Sequence, residues 1–376
     1  MALPPVPQND PKAAYLAQRA AIDAAITRTL ESGWYILGKE TTAFEAEFAA
    51  AVCCRHGIGV GSGTDALILA LRALGVAEGD AVVTVSHTAV ATVAAIEMVG
   101  ATPLLIDVEP DCFTMDPAEL AEVLAHPPAG LPPIRAAIVV HLYGQGAALP
   151  RIIEACRRHG VAVVEDCAQA HGATLGGRKV GTFTEVATFS FYPTKNLGAL
   201  GDGGMVATHD ADRAAHIAAL RQYGWRTHYV SDEIGVNSRL DEVQAAILRV
   251  KLRHLEAQNA RRCAIAAEYD AALGDAGLAP ARRPDAGHIF HLYVVRSPDR
   301  SALQARLRAA GIGTGIHYPV PVHLQPAYRG RVALGPSGCR VTETVAQQVL
   351  SLPMYPELTD ADVSRVCEAL SQLRAS

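Results

Sequence analysis

Short apolar, β-branched runs alternate with helical patterns between about residues 55 and 210. The runs are nearly continuous in hydrophobic residues, which is typical of strands that are buried on both faces. We predict six such strands, at 81–85, 103–106, 136–140, 161–165, 187–191 and 205–208. Strands that alternate with helices indicate an α/β protein with a mainly parallel sheet.

The pattern changes near residue 239. Residues 239–273 predict a long helix with a break near Gln258, and strands at 290–296 and 313–318 flank a helix at 301–310. Two further helices follow. We therefore divide the chain into an N-terminal helical segment (1–35), a large domain (36–250) and a smaller C-terminal α+β domain (251–376).

Composition excludes several classes of protein. Half of the 376 residues are hydrophobic and the net charge is −5, so a chain that binds nucleic acid would need a local basic patch, and we find none. No apolar run reaches the ~20 residues that span a bilayer. The first residues lack the features of a signal peptide, and the eight cysteines form no C-x-x-C pair. We expect a cytoplasmic protein with reduced thiols and no metal site.

A glycine-rich segment precedes the first predicted helix of the large domain. Gly59, Gly61 and Gly63 let backbone N–H groups approach a ligand, and the start of a helix favours an anion. An ordinary capped helix start explains the same residues. A dinucleotide site is a further alternative, but Asp80 precedes the next strand, whereas that motif needs an acidic residue at its end.

Two charged residues follow predicted buried strands. Asp166 stands at the carboxyl end of the strand at 161–165, where it needs a partner such as a pyridinium nitrogen or a structural arginine. Lys195 follows the strand at 187–191 among apolar residues, and desolvation favours the neutral amine that attacks carbonyls. A lysine whose amine reaches solvent is the simpler alternative. Together with the anion cradle, these residues match the needs of pyridoxal phosphate: a lysine, a carboxylate and a phosphate site.

The segments E-D-C-A-Q-A-H-G at 165–172 and S-F-Y-P-T-K-N-L-G at 190–198 resemble the sugar aminotransferases of the DegT/DnrJ/StrS type. The resemblance runs from residue 33 to the end of the chain. It implies the fold-type-I architecture of enzymes that use pyridoxal phosphate. In that architecture a mainly parallel seven-stranded sheet lies between helices and a smaller C-terminal α+β domain follows.

The resemblance also implies roles for individual residues. Lys195 is the lysine that carries the cofactor and moves the proton, Asp166 pairs with the ring nitrogen, and Gln169 contacts the ring hydroxyl. Family members often carry an aromatic residue at the position of Ala89, and His87 is the nearest planar side chain here. The implied phosphate ligands are Gly63, Thr64, Asp65, Ser190 and, from a neighbouring subunit, Asn237.

Three further segments, at 220–225, 237–242 and 317–325, look most like the subgroup that acts on dTDP-3-keto-6-deoxyhexoses. This likeness implies a ping-pong transamination in a homodimer with shared active sites. Glutamate is the expected donor, and C3 of the nucleotide-linked keto sugar is the expected acceptor. Candidate residues for the sugar and nucleotide are Tyr35, Arg221, Tyr223, Arg239, Tyr318 and His323.

Other functions are alternatives. Amination at C4 keeps the same chemistry, and a non-catalytic regulator that binds pyridoxal phosphate keeps the same fold. An oxidoreductase that uses a dinucleotide would need the motif that Asp80 argues against. Dehydratases of this family replace the lysine by histidine, whereas this chain has Lys195.

Overall fold

A computed structural model describes residues 4–274, 278 and 282–373. Its helices are α1 (Pro11–Ala17), α2 (Arg19–Ser32), α3 (Lys39–Ala51), α4 (Gly63–Ala73), α5 (Val90–Met98), α6 (Pro117–Ala125), α7 (Leu149–Arg158), α8 (Ala211–Leu220), α9 (Glu242–Leu252), α10 (Leu255–Leu273), α11 (Arg300–Ala309), α12 (Arg340–Gln348) and α13 (Asp360–Ser371). Its strands are β1 (His56–Val60), β2 (Ala81–Val85), β3 (Thr102–Ile106), β4 (Ile134–Val140), β5 (Ala162–Asp166), β6 (Thr174–Leu175), β7 (Arg178–Lys179), β8 (Val186–Ser190), β9 (Gly204–Thr208), β10 (Trp225–Thr227), β11 (Val230–Ser231), β12 (Ala286–Gly287), β13 (Tyr293–Arg296), β14 (Ala333–Leu334) and β15 (Val349–Leu352).

The central sheet has the strand order β1-β9-β8-β5-β4-β2-β3-β14. Only the two pairings that involve β9 are antiparallel, so the prediction of a mainly parallel sheet is confirmed. All six predicted strands are present, with ends that differ by no more than two residues. The sheet has eight strands rather than the expected seven, because two residues of β14 pair with the outer edge of β3. The glycine-rich β1 was also missed, since glycine disfavours strands.

Helices cover both faces of the sheet. Val82 of β2 belongs to a buried cluster with Leu69 of α4 and Ile96 of α5. The next residue, Val83, belongs to a second buried cluster with Phe44 of α3 and Leu149 of α7. Successive side chains of a strand point to opposite faces, so the sheet lies between two helical layers. This burial on both sides explains why the strands are continuous apolar runs.

The C-terminal part departs from prediction in several places: β13 begins three residues later than the strand predicted at 290–296, and β15 was not predicted. The predicted long helix breaks between α9 and α10, at Arg253 and His254, rather than near Gln258. The predicted strand at 313–318 is wrong: it contributes one isolated bridge, between Gly315 and Ser351. Glycine weakens a strand, and this segment has glycines at 313 and 315 and a proline directly after it.

The three expected domains exchange segments with one another. Val6 pairs with Ile312 and lies in the core of the C-terminal domain, whereas α2 contacts α9. The N-terminal segment is therefore split between the two larger parts. Conversely, β14 leaves the C-terminal domain to join the central sheet. The boundaries at 35/36 and 250/251 stay a prediction, but these contacts cross both of them.

The start of α4 depends on two glycines. A Cβ atom at Gly63 would lie 2.6 Å from the Cβ of Ser190, and one at Gly204 would lie 2.2 Å from the carbonyl oxygen of Ser62. Ser62 caps the helix, since its side chain accepts a hydrogen bond from the N–H of Asp65. The absence of side chains at these two glycines lets α4 begin directly against the ends of β8 and β9.

We expect Gly204→Ala to destabilise the protein by about 1–3 kcal/mol, because the new methyl group would overlap the Ser62 carbonyl. Denaturant unfolding measures the effect. Gly201→Ala is the matched control, since its methyl group would meet only the amide end of the Gln244 side chain, which can move. Equal stability of the Gly204 variant and the wild type would contradict this view of the helix start.

Candidate active site

Asp166 lies at the carboxyl end of β5 and is buried. Its Oδ1 accepts a hydrogen bond from the N–H of Ala168 at 3.1 Å, and its Oδ2 accepts one from Thr92 Oγ1 at 3.1 Å. Burial raises the pKa of this carboxyl group, and the two donors and Lys195 oppose that shift. Among the described residues no cationic side chain forms an ion pair with Asp166. A buried carboxylate with this environment is ready to accept a cationic ligand.

Lys195 lies in the loop that follows β8 and is partly buried. Burial lowers the pKa of its amine to about 8, and the attraction of Asp166 opposes this shift. A substantial fraction of the amine is therefore neutral near physiological pH, as a nucleophile or proton acceptor requires. Lys195 and Asp166 therefore stabilise each other's charged form, and their roles toward a cofactor stay a prediction.

Asn196 connects the loop that carries Lys195 to the C-terminal part of the chain through hydrogen bonds. Its amide nitrogen donates to Asn259 Oδ1 at 2.8 Å, and its oxygen contacts His291 Nδ1 at 3.1 Å. Asn259 of α10 in turn donates to the carbonyl oxygen of His171 at 2.8 Å. These buried amides hold the loop after β8 and the loop after β5 at a fixed separation. The sequence analysis missed Asn259, because nothing in its helical surroundings marks it.

An anion cradle lies where α4 begins. Gly63 and Thr64 are the first two residues of this helix, so their N–H groups have no acceptor within it. Ser190 stands against Gly63, close enough that a Cβ atom would fill the space between them. The start of the helix, with a hydroxyl group beside it, suits a phosphate.

Asp65 has a different role from the expected one. Its carboxylate accepts a hydrogen bond from Ser238 Oγ at 2.8 Å, and Ser238 Oγ accepts one from the N–H of Gly61 at 3.0 Å. A carboxylate repels a phosphate, so we no longer count its side chain as a phosphate ligand. Asp65 instead holds the loop around residue 238 against the glycine-rich segment.

Gln169 has its amide orientation fixed by two neighbours. Its Oε1 accepts a hydrogen bond from the N–H of Tyr143 at 2.7 Å, and its Nε2 donates to the hydroxyl of Tyr318 at 3.1 Å. Burial and the nearby Asp166 raise the pKa of Tyr318 to about 12. The structure therefore brings the predicted residues Gln169, Tyr318 and Asp166 together, with the amide presenting N–H donors.

His87 is buried beside Tyr143, which the sequence analysis missed. The hydroxyl of Tyr143 donates to the carbonyl oxygen of His317, so at its 2.9 Å contact with His87 Nε2 the histidine must donate. Burial lowers the pKa of His87 to about 4, so the ring is neutral at neutral pH with its proton on Nε2. The place of His87 over a cofactor ring stays a prediction.

Two candidate substrate residues are buried and form hydrogen bonds within the protein. Arg221 is buried, and its guanidinium donates to Glu45 and to the carbonyl oxygen of Gly59. His323 is buried between Ser86 Oγ, at 2.7 Å from Nδ1, and Glu343, at 3.1 Å from Nε2. Arg221 Nη1 and both ring nitrogens of His323 thus hold other protein groups, whereas Arg221 Nε is buried with no hydrogen-bond partner, so the roles of both residues toward a substrate stay predictions.

The remaining candidates lie together on the surface. A bridge joins Ile36 to Asp241, and a second joins Gln222 to Asn237, so the segments of Tyr35, Tyr223, Asn237 and Arg239 are neighbours. Tyr35 is 49% exposed, and Tyr223, 41% exposed, packs on Trp225 with ring centroids 5.2 Å apart. Asn237 is exposed and Arg239 is partly buried. Large exposed aromatic residues mark this region as an interaction surface.

The chain also holds a cluster of His141, Glu165 and Cys167, whose potential ligand atoms lie within 4.8 Å of one another. The ligand atoms of Glu165 and His141 already have partners. Glu165 accepts hydrogen bonds from three backbone N–H groups at residues 181, 183 and 184, and from His141 Nε2 at 3.2 Å. His141 Nδ1 accepts one from the N–H of Ala147. We assign no metal to this cluster. Within the described ranges, no helix is both long and apolar enough to cross a membrane.

Comparison with known proteins identifies the class of this site. Residues 17–371 match the DegT/DnrJ/EryC1/StrS aminotransferase family, and the chain belongs to that family. The resemblance that the sequence motifs indicate is thereby confirmed, as is the fold class.

The curated relatives include sugar transaminases. The chain is 47% identical, over 98% of its length and 96% of the relative, to dTDP-3-amino-3,4,6-trideoxy-alpha-D-glucose transaminase of Streptomyces venezuelae. It is 40% identical to dTDP-3-amino-3,6-dideoxy-alpha-D-galactopyranose transaminase of Aneurinibacillus thermoaerophilus, over 98% of this chain and 99% of the relative.

Solved structures of related proteins have the same fold as this chain. The crystal structure of S. venezuelae DesV in complex with a ketimine intermediate matches with a TM-score of 0.94 and 46% identity, covering 98% of each chain. A structure of ntda from Bacillus subtilis, with bound cofactor PMP, matches with a TM-score of 0.91 and 27% identity, covering all of this chain and 86% of that one.

We expect the rate at which pyridoxal phosphate reacts with Lys195 to rise ~tenfold per pH unit below about 8 and to level off above it, because only the neutral amine reacts. Rapid-mixing absorbance measurements on the cofactor-free protein test this, with Lys195→Ala as the background. A rate that keeps rising toward pH 10.5, the ordinary pKa of a lysine, would contradict the lowered pKa.

Proposed function

We propose that this protein uses pyridoxal phosphate to transfer an amino group, from glutamate, to C3 of a dTDP-linked 3-keto-6-deoxyhexose. One observation carries the proposal: three groups with the properties that pyridoxal phosphate needs lie at the same end of the sheet. They are Lys195, whose amine has a lowered pKa, the buried carboxylate of Asp166, which has no cationic ion-pair partner among the described residues, and the N–H groups at the start of α4. The names of the relatives, several of which are sugar transaminases, support the choice of substrate.

The residues present fit the cofactor. The N–H groups of Gly63 and Thr64 and the Ser190 hydroxyl would bind its phosphate. The Asp166 carboxylate would pair with its ring nitrogen, and the Gln169 amide would donate to its ring hydroxyl. When bound, pyridoxal phosphate supplies an electron sink for the carbon that gains or loses a proton.

The side chains of the protein would transfer the proton and hold the reacting groups in position. Lys195 Nζ, released once the amino donor binds, is the group that would hold and move the proton, and its pKa of about 8 suits both steps. An ionised Asp166 beside a cationic ring nitrogen would keep that nitrogen protonated. Asn196 fixes the loop that carries Lys195, so the amine stays within reach of the reacting carbons.

A regulatory role is the second candidate. Two relatives are named for regulation: the erythromycin biosynthesis sensory transduction protein EryC1 of Saccharopolyspora erythraea and a pleiotropic regulatory protein of Geobacillus stearothermophilus. Covalent binding of the cofactor also needs a neutral lysine amine, so the lowered pKa of Lys195 is compatible with both roles. The relatives named as sugar transaminases favour catalysis, and turnover on a keto sugar decides between the two roles.

The proposed active unit is a homodimer with shared sites. Trp34, Tyr35, Tyr223 and Tyr229 are large aromatic residues exposed on one chain, in the segments that the two surface bridges join or adjoin. Asn237 lies exposed in the same region, with its side chain available to a second subunit. Burial of this surface against a second copy would remove apolar area from water and bring Asn237 to the partner's phosphate site.

The purified protein, loaded with pyridoxal phosphate and given glutamate, is expected to aminate a 3-keto dTDP-6-deoxyhexose much faster than the 4-keto isomer, as product NMR would show. A displacement of about 1 Å can cost ~10²-fold in rate, so a site built for one carbonyl is poor for the other. Lys195→Ala should lose turnover while remaining folded, and Lys39→Ala, on the surface, should keep it.

Amination at C4 alone would overturn the regiochemistry but leave the aminotransferase proposal intact. Full turnover by Lys195→Ala would overturn the assignment of the lysine. Binding of the cofactor without turnover on any keto sugar would favour the regulatory alternative.

Mixing Lys195→Ala with Asn237→Ala subunits is expected to restore part of the activity, because one of the two sites in a mixed dimer regains both residues. Activity is measured after the mixed dimers have been verified by differently tagged subunits. If both parents are impaired and verified mixed dimers show no recovery, the sites are not shared in this way.

A further inference from the structure

We propose that Thr92 is a positioning residue that, supported by Thr88, holds Asp166 ionised and correctly oriented toward a cationic ring nitrogen. The proposal rests on the proposed function, because it takes pyridoxal phosphate as the ligand of Asp166. Neither threonine belongs to the sequence motifs that mark the site. Both come from the segment between β2 and the first turn of α5.

The direction of the hydrogen bonds follows from the chemistry of the groups. An ionised carboxylate only accepts, so Thr92 Oγ1 donates to Asp166 Oδ2 at 3.1 Å. A hydroxyl has a single proton, so the 3.0 Å contact between Thr88 Oγ1 and Thr92 Oγ1 must be donated by Thr88. The result is a one-way chain from Thr88 to Thr92 to Asp166. All three residues are buried, so bulk water does not replace a lost donor.

The two oxygens of Asp166 are held from two different elements. Thr92, on α5, binds Oδ2, whereas the N–H of Ala168, in the loop after β5, binds Oδ1. These contacts fix the plane of the carboxylate and leave lone pairs on both oxygens for a ligand. Within the described part of the chain, Thr92 provides the only side-chain hydrogen bond to this carboxylate.

Four other titratable groups face Asp166. Lys195, from the loop after β8, favours the ionised carboxylate. The ring of His141, directly after β4, also faces it, with Nδ1 accepting from the N–H of Ala147 and Nε2 contacting Glu165. Tyr318, from the C-terminal part, and Cys167, the next residue in the chain, are neutral at physiological pH, since burial and Asp166 raise the pKa of each. Thr92 is a neutral donor, so its hydrogen bond to Asp166 does not depend on the charge of Lys195.

The Thr92 hydroxyl affects the pKa of Asp166. Burial raises the pKa of Asp166, and the Thr92 hydrogen bond lowers it because it stabilises the charged form. Loss of the hydroxyl should therefore raise the pKa of the carboxyl group. Cofactor binding needs the carboxylate, so affinity should begin to fall at a higher pH as the solution is acidified.

The experiment measures, for the full-length protein as a function of pH, the dissociation constants of pyridoxal phosphate and of pyridoxamine phosphate from the absorbance of the bound cofactor. The acid-side midpoint is read from pyridoxamine phosphate, which forms no bond to Lys195, because the titration of Lys195 affects the binding of pyridoxal phosphate. For Thr92→Val, which keeps the shape of the side chain, the acid-side midpoint should rise by about one pH unit, with ~tenfold weaker binding below it. Thr92→Ser retains the hydroxyl and should restore the wild-type midpoint. Thr88→Val removes only the supporting donor and should give a smaller rise.

The matched control is Thr84→Val. Thr84 is equally buried, on β2, but donates to the carbonyl oxygen of Ile138 and does not contact Asp166. An unchanged midpoint in Thr92→Val, or an equal shift in Thr84→Val, overturns the proposal. If Thr92→Val does not fold, Thr88→Val decides, and the absence of a shift in that variant overturns the chain of donors.

The same measurements distinguish a failure of the proposed function from a failure of the role of Thr92. A wild-type protein that does not bind pyridoxal phosphate refutes the proposed function. A wild-type protein that binds it, with a midpoint insensitive to Thr92, refutes only the positioning role.

Discussion

The close approach between the start of α4 and the ends of β8 and β9 is the constraint on which the site depends. It is possible only because Gly63 and Gly204 have no side chains, since a methyl group at either would overlap neighbouring atoms. The approach sets the helix N–H groups beside Ser190, and Ser190 ends the strand whose following loop carries Lys195. The proposed phosphate site and the proposed reactive amine are therefore positioned by one piece of backbone packing.

Charge balance is the second organising feature of the site. Burial disfavours the ionised forms of both Asp166 and Lys195, and each partly compensates for the other. A ligand that carries a cationic ring nitrogen and binds the lysine amine would take over this compensation at Asp166. The surrounding groups are in defined states: His87 is neutral, Gln169 presents its N–H edge, and Thr92 presents its hydroxyl proton.

The sequence predicts those features that follow from a local hydrophobic pattern or from a position at the end of a strand. Continuous apolar runs located the inner strands, and the rule that ligands lie at the carboxyl ends of parallel strands singled out Asp166. Pattern could not reveal β14, because two residues give no periodicity. Nor could it show that Arg221 and His323 have partners as distant in the chain as Glu45 and Ser86. An arginine committed to the fold and one free to bind substrate look alike until tertiary contacts are known.

The pairing of Val6 with Ile312 has a consequence for the way the chain assembles. The N–H of Met354 donates to the carbonyl oxygen of Gln8, and Arg365 donates to that of Pro4, so both ends of the chain build one core. During synthesis the first residues must wait for the last hundred before this core can close. The central sheet, whose long strands all lie within residues 56–208, can form earlier on the ribosome. The order of translation thus favours a central sheet, with the proposed phosphate site at the start of α4, that forms before the C-terminal core.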